Sequence, residues 1–390
     1  MKLVMPVGRA DRSPVARWFW TIDRPLLAML IILIGAGIIA VAAASPAASL
    51  RLSGPGLRLP PLHFLQRQLI WVALGLPLML AVSMMAKDTA RRFSIFGFGV
   101  AMLLLAAVPV VGMEKNGAFR WIALGGFQLQ PIEFVKPLFI VATGWLFALR
   151  FHDGSLPVIP LGFLFLVLIL GLLVIQPDFG QAALVTAVWL VQASLAGLPL
   201  LIVGIALLAG VAGIAVAYQF EPHIRNRIDG FLHGEGDTYQ VDRALDCFRS
   251  GGLYGTGPGE GVAKFRLPEA HTDYIFSVIG EEFGAIACFA LALLYLAIIL
   301  RVLLQLLDEE DPFTVISATG LVTMFGGQAL INMAVNVALA PSKGMTLPFI
   351  SHGGSSFLAM GLSMGLLLAL TRRNRHLKHS PFLTGKAAIS

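Results

Sequence analysis

Apolar residues run along this chain in blocks of about twenty, broken by short stretches that collect the charged residues, prolines and glycines. A helical block of that length crosses the roughly 30 Å hydrocarbon core of a bilayer. The pattern predicts ten spans, at 25–45, 64–85, 93–113, 132–151, 157–175, 180–197, 199–218, 273–300, 312–336 and 354–372. The expected fold is an all-α polytopic membrane protein: a tail at 1–24, a ten-helix domain at 25–372 and a tail at 373–390. A long loop at 219–272 separates the seventh and eighth spans. Only Gly197-Leu198-Pro199 separates the sixth span from the seventh. Were that pair one broken helix, everything downstream would invert.

Composition agrees with this class: 57% of the 390 residues are hydrophobic and 13% charged. A net charge of +6 in a soluble chain would suggest nucleic acid, but here the basic residues sit between and beyond the apolar blocks, where they set orientation. No nucleic-acid role is read from it. Fifteen Lys and Arg fall on the side of the two tails, against five (Arg51, Arg58, Lys115, Arg120 and Lys343) in the short loops of the other side. The positive-inside rule then places both termini in the cytoplasm and the 219–272 loop outside. The first apolar block lacks a small-residue cleavage site and is expected to stay as a helix. Cys247 is expected in a loop and Cys288 inside a helix, so no disulfide is expected between them.

Candidate chemistry concentrates where the long loop meets the eighth span, at Leu267-Pro268-Glu269-Ala270-His271-Thr272-Asp273-Tyr274-Ile275-Phe276. If the helix starts near Thr272, then Asp273, Ser277 and Glu281 share one face and carry a polar stripe into the membrane. Asp273 is the strongest candidate base, although a carboxylate there also suits a helix cap. His271 is either a second proton carrier or a solvated neighbour. The loop's run Gly251-Gly252-Leu253-Tyr254-Gly255-Thr256-Gly257-Pro258-Gly259-Glu260-Gly261 lacks the Gly-Lys-Ser/Thr ending and the preceding strand of a phosphate loop. It is expected to be pliable backbone that approaches something closely.

Other polar groups lie near the same surface. Arg120 and Trp121 are either interface anchors or substrate contacts. Glu133 and Lys136, three residues apart inside an apolar block, form either an internal ion pair or a ligand-facing pair. Asp178, in Gln176-Pro177-Asp178-Phe179-Gly180, suits a cap on the next helix. Pro341-Ser342-Lys343-Gly344-Met345-Thr346-Leu347-Pro348-Phe349-Ile350-Ser351-His352-Gly353-Gly354-Ser355-Ser356 suggests irregular backbone lining a cavity, with Lys343 as a cation and Ser355 beside it. A base among cations suits a reaction that deprotonates an alcohol as a phosphate leaves.

These stretches, in this order from about 116 to 373, resemble the SEDS family (shape, elongation, division and sporulation). Their wording at 255–261 and 344–349 is closer to the division branch than to the elongation branch. The resemblance implies a peptidoglycan glycosyltransferase that polymerises lipid II at the outer face of the cytoplasmic membrane during septal wall synthesis. Asp273 is the residue that matches the family's essential aspartate. The implied substrate contacts are Arg120, Trp121, Glu133 and Lys136, together with His271, Thr272, Lys343 and Ser355. The implied partners are lipid II, an undecaprenyl-diphosphate-linked glycan strand, membrane lipid, a class B penicillin-binding protein that supplies transpeptidase activity, and other divisome proteins. No cofactor is implied; a divalent cation could share the leaving-group role, but no ligand cluster has convincing spacing. Two residues depart from the family pattern, His352 where tyrosine is common and Gln128 where some division members carry arginine. A transporter or lipid II flippase is the competing class, and it would need polar groups at both faces of the membrane.

Overall fold

A computed structural model describes residues 13–54, 58–115, 118–125, 127–220, 225, 229, 239–341 and 344–372. Helix α1 (Pro14–Thr21) precedes α2 (Arg24–Leu52), α3 (His63–Ser83) and α4 (Lys87–Val111). A small antiparallel sheet follows, β1 (Met113–Lys115), β2 (Ala118–Leu124) and β3 (Phe127–Leu129), in which Met113 pairs with Trp121 and Ile122 with Leu129. Then come α5 (Pro131–Ala148), α6 (Val158–Ile175), α7 (Phe179–Leu195), α8 (Leu200–Phe220) and α9 (Tyr239–Gly251). The chain closes with α10 (Ile275–Leu306), α11 (Pro312–Asn336) and α12 (Gly354–Leu370).

The ten predicted spans coincide with α2 to α8 and α10 to α12. Among the described residues seven of these are long and apolar enough to cross a membrane, and Phe179–Leu195, Leu200–Gly213 and Gly354–Leu370 are shorter apolar helical stretches. Helices α7 and α8 are separate, joined through Gly197 at φ 93°. Three expectations change. Residues 14–21, inside the expected tail, form α1, because Ser13 caps it and Pro14 stands where no backbone N–H is needed. The long loop carries α9, whose Ala244 and Cys247 are fully buried. Helix α10 begins at Ile275 rather than near Thr272, so Asp273 precedes the helix and does not share a helical face with Ser277 and Glu281.

Helix α5 is the central post, buried on nearly every side, and α11 packs beside it. Small residues make the crossing close. A Cβ on Gly144 would lie 2.1 Å from Ser317 Oγ on α11, and one on Gly320 would lie 2.6 Å from Ile140 on α5. The outer helices keep large apolar side chains exposed, as a lipid-facing surface requires; Val110 on α4 and Leu200 on α8 are examples. Helix α10 breaks at Gly284, whose φ of 80° and ψ of 175° are not helical. At the far end of α10, Arg301 Nε donates to Asp23 Oδ2 at 2.9 Å, and Asp23 caps α2 through Leu26 N. That contact fixes α10 against α2.

Candidate active site

Asp273 lies in the turn before α10, half-buried, and two independent elements hold its backbone. Asn332 Nδ2 and Asn336 Nδ2, both on α11, donate to the Asp273 carbonyl at 2.8 and 2.9 Å. The segment 344–352 is laced alongside. Ser351 Oγ donates to Thr272 O at 2.6 Å and accepts from Leu347 N, and His352 N donates to His271 O at 2.8 Å. Asn332 Nδ2 also reaches Met345 O at 2.7 Å, so one amide ties the two segments together. Gly344 lies against the carboxylate, since a Cβ there would be 3.2 Å from Asp273 Oδ2. Glu269 and Phe349, neither a glycine, hold φ of 51° and 62° on either side of this junction. Such conformations persist only where surrounding bonds enforce them.

Below this junction the Glu133–Lys136 pair is an internal one. Lys136 Nζ has three N–H donors and three acceptors: Glu133 Oε2 and Gln181 Oε1, both at 2.9 Å, and Gln328 Oε1 at 3.0 Å. Gln181 Nε2 in turn donates to Glu133 Oε1 at 2.8 Å. All four side chains are buried. With its donors taken, Lys136 is linked to the 344–352 segment through Gln328. Gln328 passes the contact upward, donating to Thr346 O at 3.0 Å and Thr346 Oγ1 at 3.2 Å.

The residues that connect these two layers are Gln328, Asn332 and Asn336, spaced four apart on α11, and the sequence reading did not single them out. Three amides at that spacing in an apolar helix are the signal that would have found them. Ser277 belongs to this set, donating from Oγ to Asn336 Oδ1 at 2.8 Å. Glu281, expected on one face with Asp273 and Ser277, turns instead to the loop, where Ala263 N and Lys264 N donate to its two carboxylate oxygens at 2.6 and 2.8 Å. The polar stripe expected on α10 is therefore divided between two different partners.

The remaining candidates are dispersed. Arg120 Nε donates to Gln176 O at 3.0 Å and its NH2 to Pro177 O, so the arginine staples β2 to the turn between α6 and α7. Asp178 caps α7 through Gln181 N, and burial raises its carboxyl pKa while the Arg120 guanidinium pulls it back. Trp121, the next residue on the strand, projects to the opposite face of the hairpin from Arg120. Thr272 Oγ1 donates to Glu269 Oε2 at 2.8 Å. Ser355 is buried in the first turn of α12. Lys343, with Asn116 and residues 373–390, lies outside the described residues, as does part of the 219–272 loop. Among the described residues no three of His, Cys, Asp and Glu come together to hold a metal ion, so a divalent cation is tied to no residue here.

His271 and His352 pack with Phe64 of α3, the His271 ring 4.2 Å from Phe64 and 5.6 Å from His352. His352 Nδ1 donates to Gln68 Oε1 at 3.1 Å. Burial, then the neighbouring charges of His271, Arg67 and His63, push the His352 pKa down to about 3. It stays neutral in the fold while an unfolded chain protonates it below about 6.5. Its contribution to stability is therefore complete above about pH 6.5 and is lost as pH falls from there towards 3. Melting measured from pH 7 to pH 4 is expected to show a smaller acid-induced drop in His352→Gln than in the native protein. Equal drops would mean the ring is protonated in the fold.

A relative from Caulobacter vibrioides, bearing the name "Probable peptidoglycan glycosyltransferase FtsW", is 40% identical over 372 residues, 94% of this chain and 93% of the relative. The model of the FtsW, RodA and SpoVE cell cycle proteins matches residues 24–376. The chain belongs to that family. A Coxiella burnetii relative of the same name is 34% identical over 365 residues, 90% of this chain and 96% of its own length. Among solved structures, a chain of a peptidoglycan synthase complex that coordinates polymerization and crosslinking superposes with a TM-score of 0.71 at 28% identity, covering 90% of this chain and 97% of that one. The rod shape determining protein RodA of Thermus thermophilus gives 0.65 at 28% identity, covering 90% and 96%. Family membership and the apolar helices together make this a multi-pass membrane protein.

Proposed function

We propose that this protein polymerises lipid II into glycan strands at the outer face of the cytoplasmic membrane, as the septal peptidoglycan glycosyltransferase of cell division. The observation that carries the reading is Asp273, a half-buried carboxylate on a backbone fixed from both α11 and the 344–352 segment. Asp273 takes the proton from the C4 hydroxyl of the GlcNAc of an incoming lipid II. The alkoxide oxygen attacks C1 of the strand's terminal MurNAc, the bond to undecaprenyl diphosphate breaks, and the anomeric centre inverts. Such a transfer needs one base and charge stabilisation for the leaving group, with no protein nucleophile.

Lys343, next in sequence to the Gly344 that borders the carboxylate, is the proposed cation for the diphosphate. Lys136 contributes by holding Gln328 and through it Thr346. Arg120 contributes by fixing the hairpin ahead of α5, and His271 and Thr272 by their places beside the base. The distribution of basic residues supports cytoplasmic termini and an external site. A class B penicillin-binding protein is the proposed transpeptidase partner, with other divisome proteins around it.

The test supplies labelled lipid II to the purified protein, in detergent with its cognate penicillin-binding partner, and resolves glycan strands by length. Strands are expected. A protein that makes none, yet moves lipid II across proteoliposome bilayers, is a flippase. The curated relatives described above carry the division protein's name. Rescue of a division-blocked strain and not of an elongation-blocked one would agree with that branch; the reverse would assign the elongation branch.

A further inference from the structure

The glycine-rich run of the outer loop does approach something closely, and that something is α10. At the Gly284 break the helical ladder of α10 opens, and its backbone groups bond to the loop instead. Thr256 N donates to Glu281 O at 2.9 Å and Gly257 N to Glu282 O at 3.1 Å, while Ala285 N donates to Gly252 O at 2.9 Å. Contact is too close for side chains on either surface. A Cβ at Gly255 would lie 2.2 Å from Glu282 O, and one at Gly284 would lie 2.3 Å from Leu253 O. The Glu281 and Glu282 carbonyls and the Ala285 N–H are thus satisfied by the loop, as a buried helix break requires.

The side chains at the break complete a closed charge arrangement. Lys264 is 1% exposed, Glu281 0% and Glu282 1%. Lys264 Nζ pairs with Glu282 Oε1 and donates to Ala43 O of α2 at 3.0 Å. Glu282 Oε2 accepts from Gly259 N at 3.1 Å. The Glu281 carboxylate takes the backbone N–H groups of Ala263 and Lys264. Burial first, then the Glu281 charge, push the Cys247 thiol pKa up. A buried lysine and two buried glutamates are costly to keep unless they hold something in place. What they hold is legible from their positions: Asp273 is midway along the chain between Lys264 and Glu282.

We propose that Lys264, Glu281 and Glu282 form a clamp that closes residues 263–282 into a fixed loop, and that these are positioning residues for Asp273 at its tip. The inference rests on Asp273 being the base. Asn332 and Asn336 hold the inner side of the tip, and the clamp holds its two stems. Releasing one stem displaces the carboxylate without altering any group that meets substrate. A displacement of about 1 Å at a reacting group can cost about a hundredfold in rate.

The experiment compares the native protein, Lys264→Met, Lys264→Met/Glu282→Gln and Asp273→Asn, each with the penicillin-binding partner and labelled lipid II. Labelling of Cys247 by a membrane-impermeant maleimide, located by mass spectrometry, is followed in parallel. Lys264→Met leaves the Glu282 carboxylate buried and unpaired. It is expected to lower kcat by about tenfold to a hundredfold, to leave KM for lipid II within about twofold, and to expose Cys247. The double variant, which removes both charges and keeps an acceptor for Gly259 N, is expected to recover most of kcat and to shield Cys247 again. Asp273→Asn is expected to be inactive with Cys247 still unreactive. Native kcat in Lys264→Met with an inactive Asp273→Asn overturns the clamp alone. A loss in kcat that the double variant does not reverse, with KM rising in step, also overturns it, because that is loss of fold. Native activity in Asp273→Asn overturns both the base and the clamp.

Discussion

Asp273→Asn is expected to suppress polymerisation in a protein that still folds. The amide keeps the shape of the carboxylate, and the bonds that α11 and the 344–352 segment make to this turn go to backbone: Asn332 and Asn336 to the Asp273 carbonyl, Ser351 to the Thr272 carbonyl, and His352 to the His271 carbonyl. None of them depends on the charge at 273. What disappears is the proton acceptor, and general-base catalysis is typically worth about a hundredfold to ten-thousandfold. Strand formation from labelled lipid II is therefore expected to fall by about that factor, with melting temperature and partner assembly unchanged. Asp273→Glu is expected to be impaired as well, because the extra methylene moves the carboxylate by about 1 Å or more from its place. An Asn variant that polymerises at the native rate would remove Asp273 from the chemistry.

Lys136→Met damages the protein by a different route. It leaves the Glu133 carboxylate buried without its cation, and it takes one partner each from Gln181 and Gln328. Breaking a buried pair in this way costs about 3–5 kcal/mol, far more than the pair is worth against an apolar replacement. The expected readout is an apparent melting temperature lower by roughly 5–10 °C. Activity is lost with it, since Gln328 no longer has its anchor beneath Thr346. Glu133→Gln/Lys136→Met removes both charges and is expected to regain much of the stability while remaining impaired in catalysis. If the single and double variants melt alike, the network is not coupled as the hydrogen bonds imply. This outcome would differ in kind from that of Asp273→Asn, which leaves stability intact.

The sequence by itself determined the membrane class, the ten spans and the family motifs. Spans are legible because crossing hydrocarbon demands a local property, an uninterrupted apolar helix of sufficient length, which any window of the chain reports. The ion pairing of Glu133 with Lys136 was equally local, since three residues on a helix bring side chains together. So was the cap at Asp178. The distribution of work among the other polar residues was not local. Arg120 stapling a turn some fifty residues away, the three amides of α11 linking Lys136 to Asp273, and the glycine run docking on the Gly284 break all depend on which helices become neighbours. Asp273, Ser277 and Glu281 illustrate the division. Their four-residue spacing predicted one shared face, but the helix starts after Asp273, Asn336 takes Ser277, and the loop takes Glu281. A buried polar group must find a partner, and only the tertiary structure decides which one.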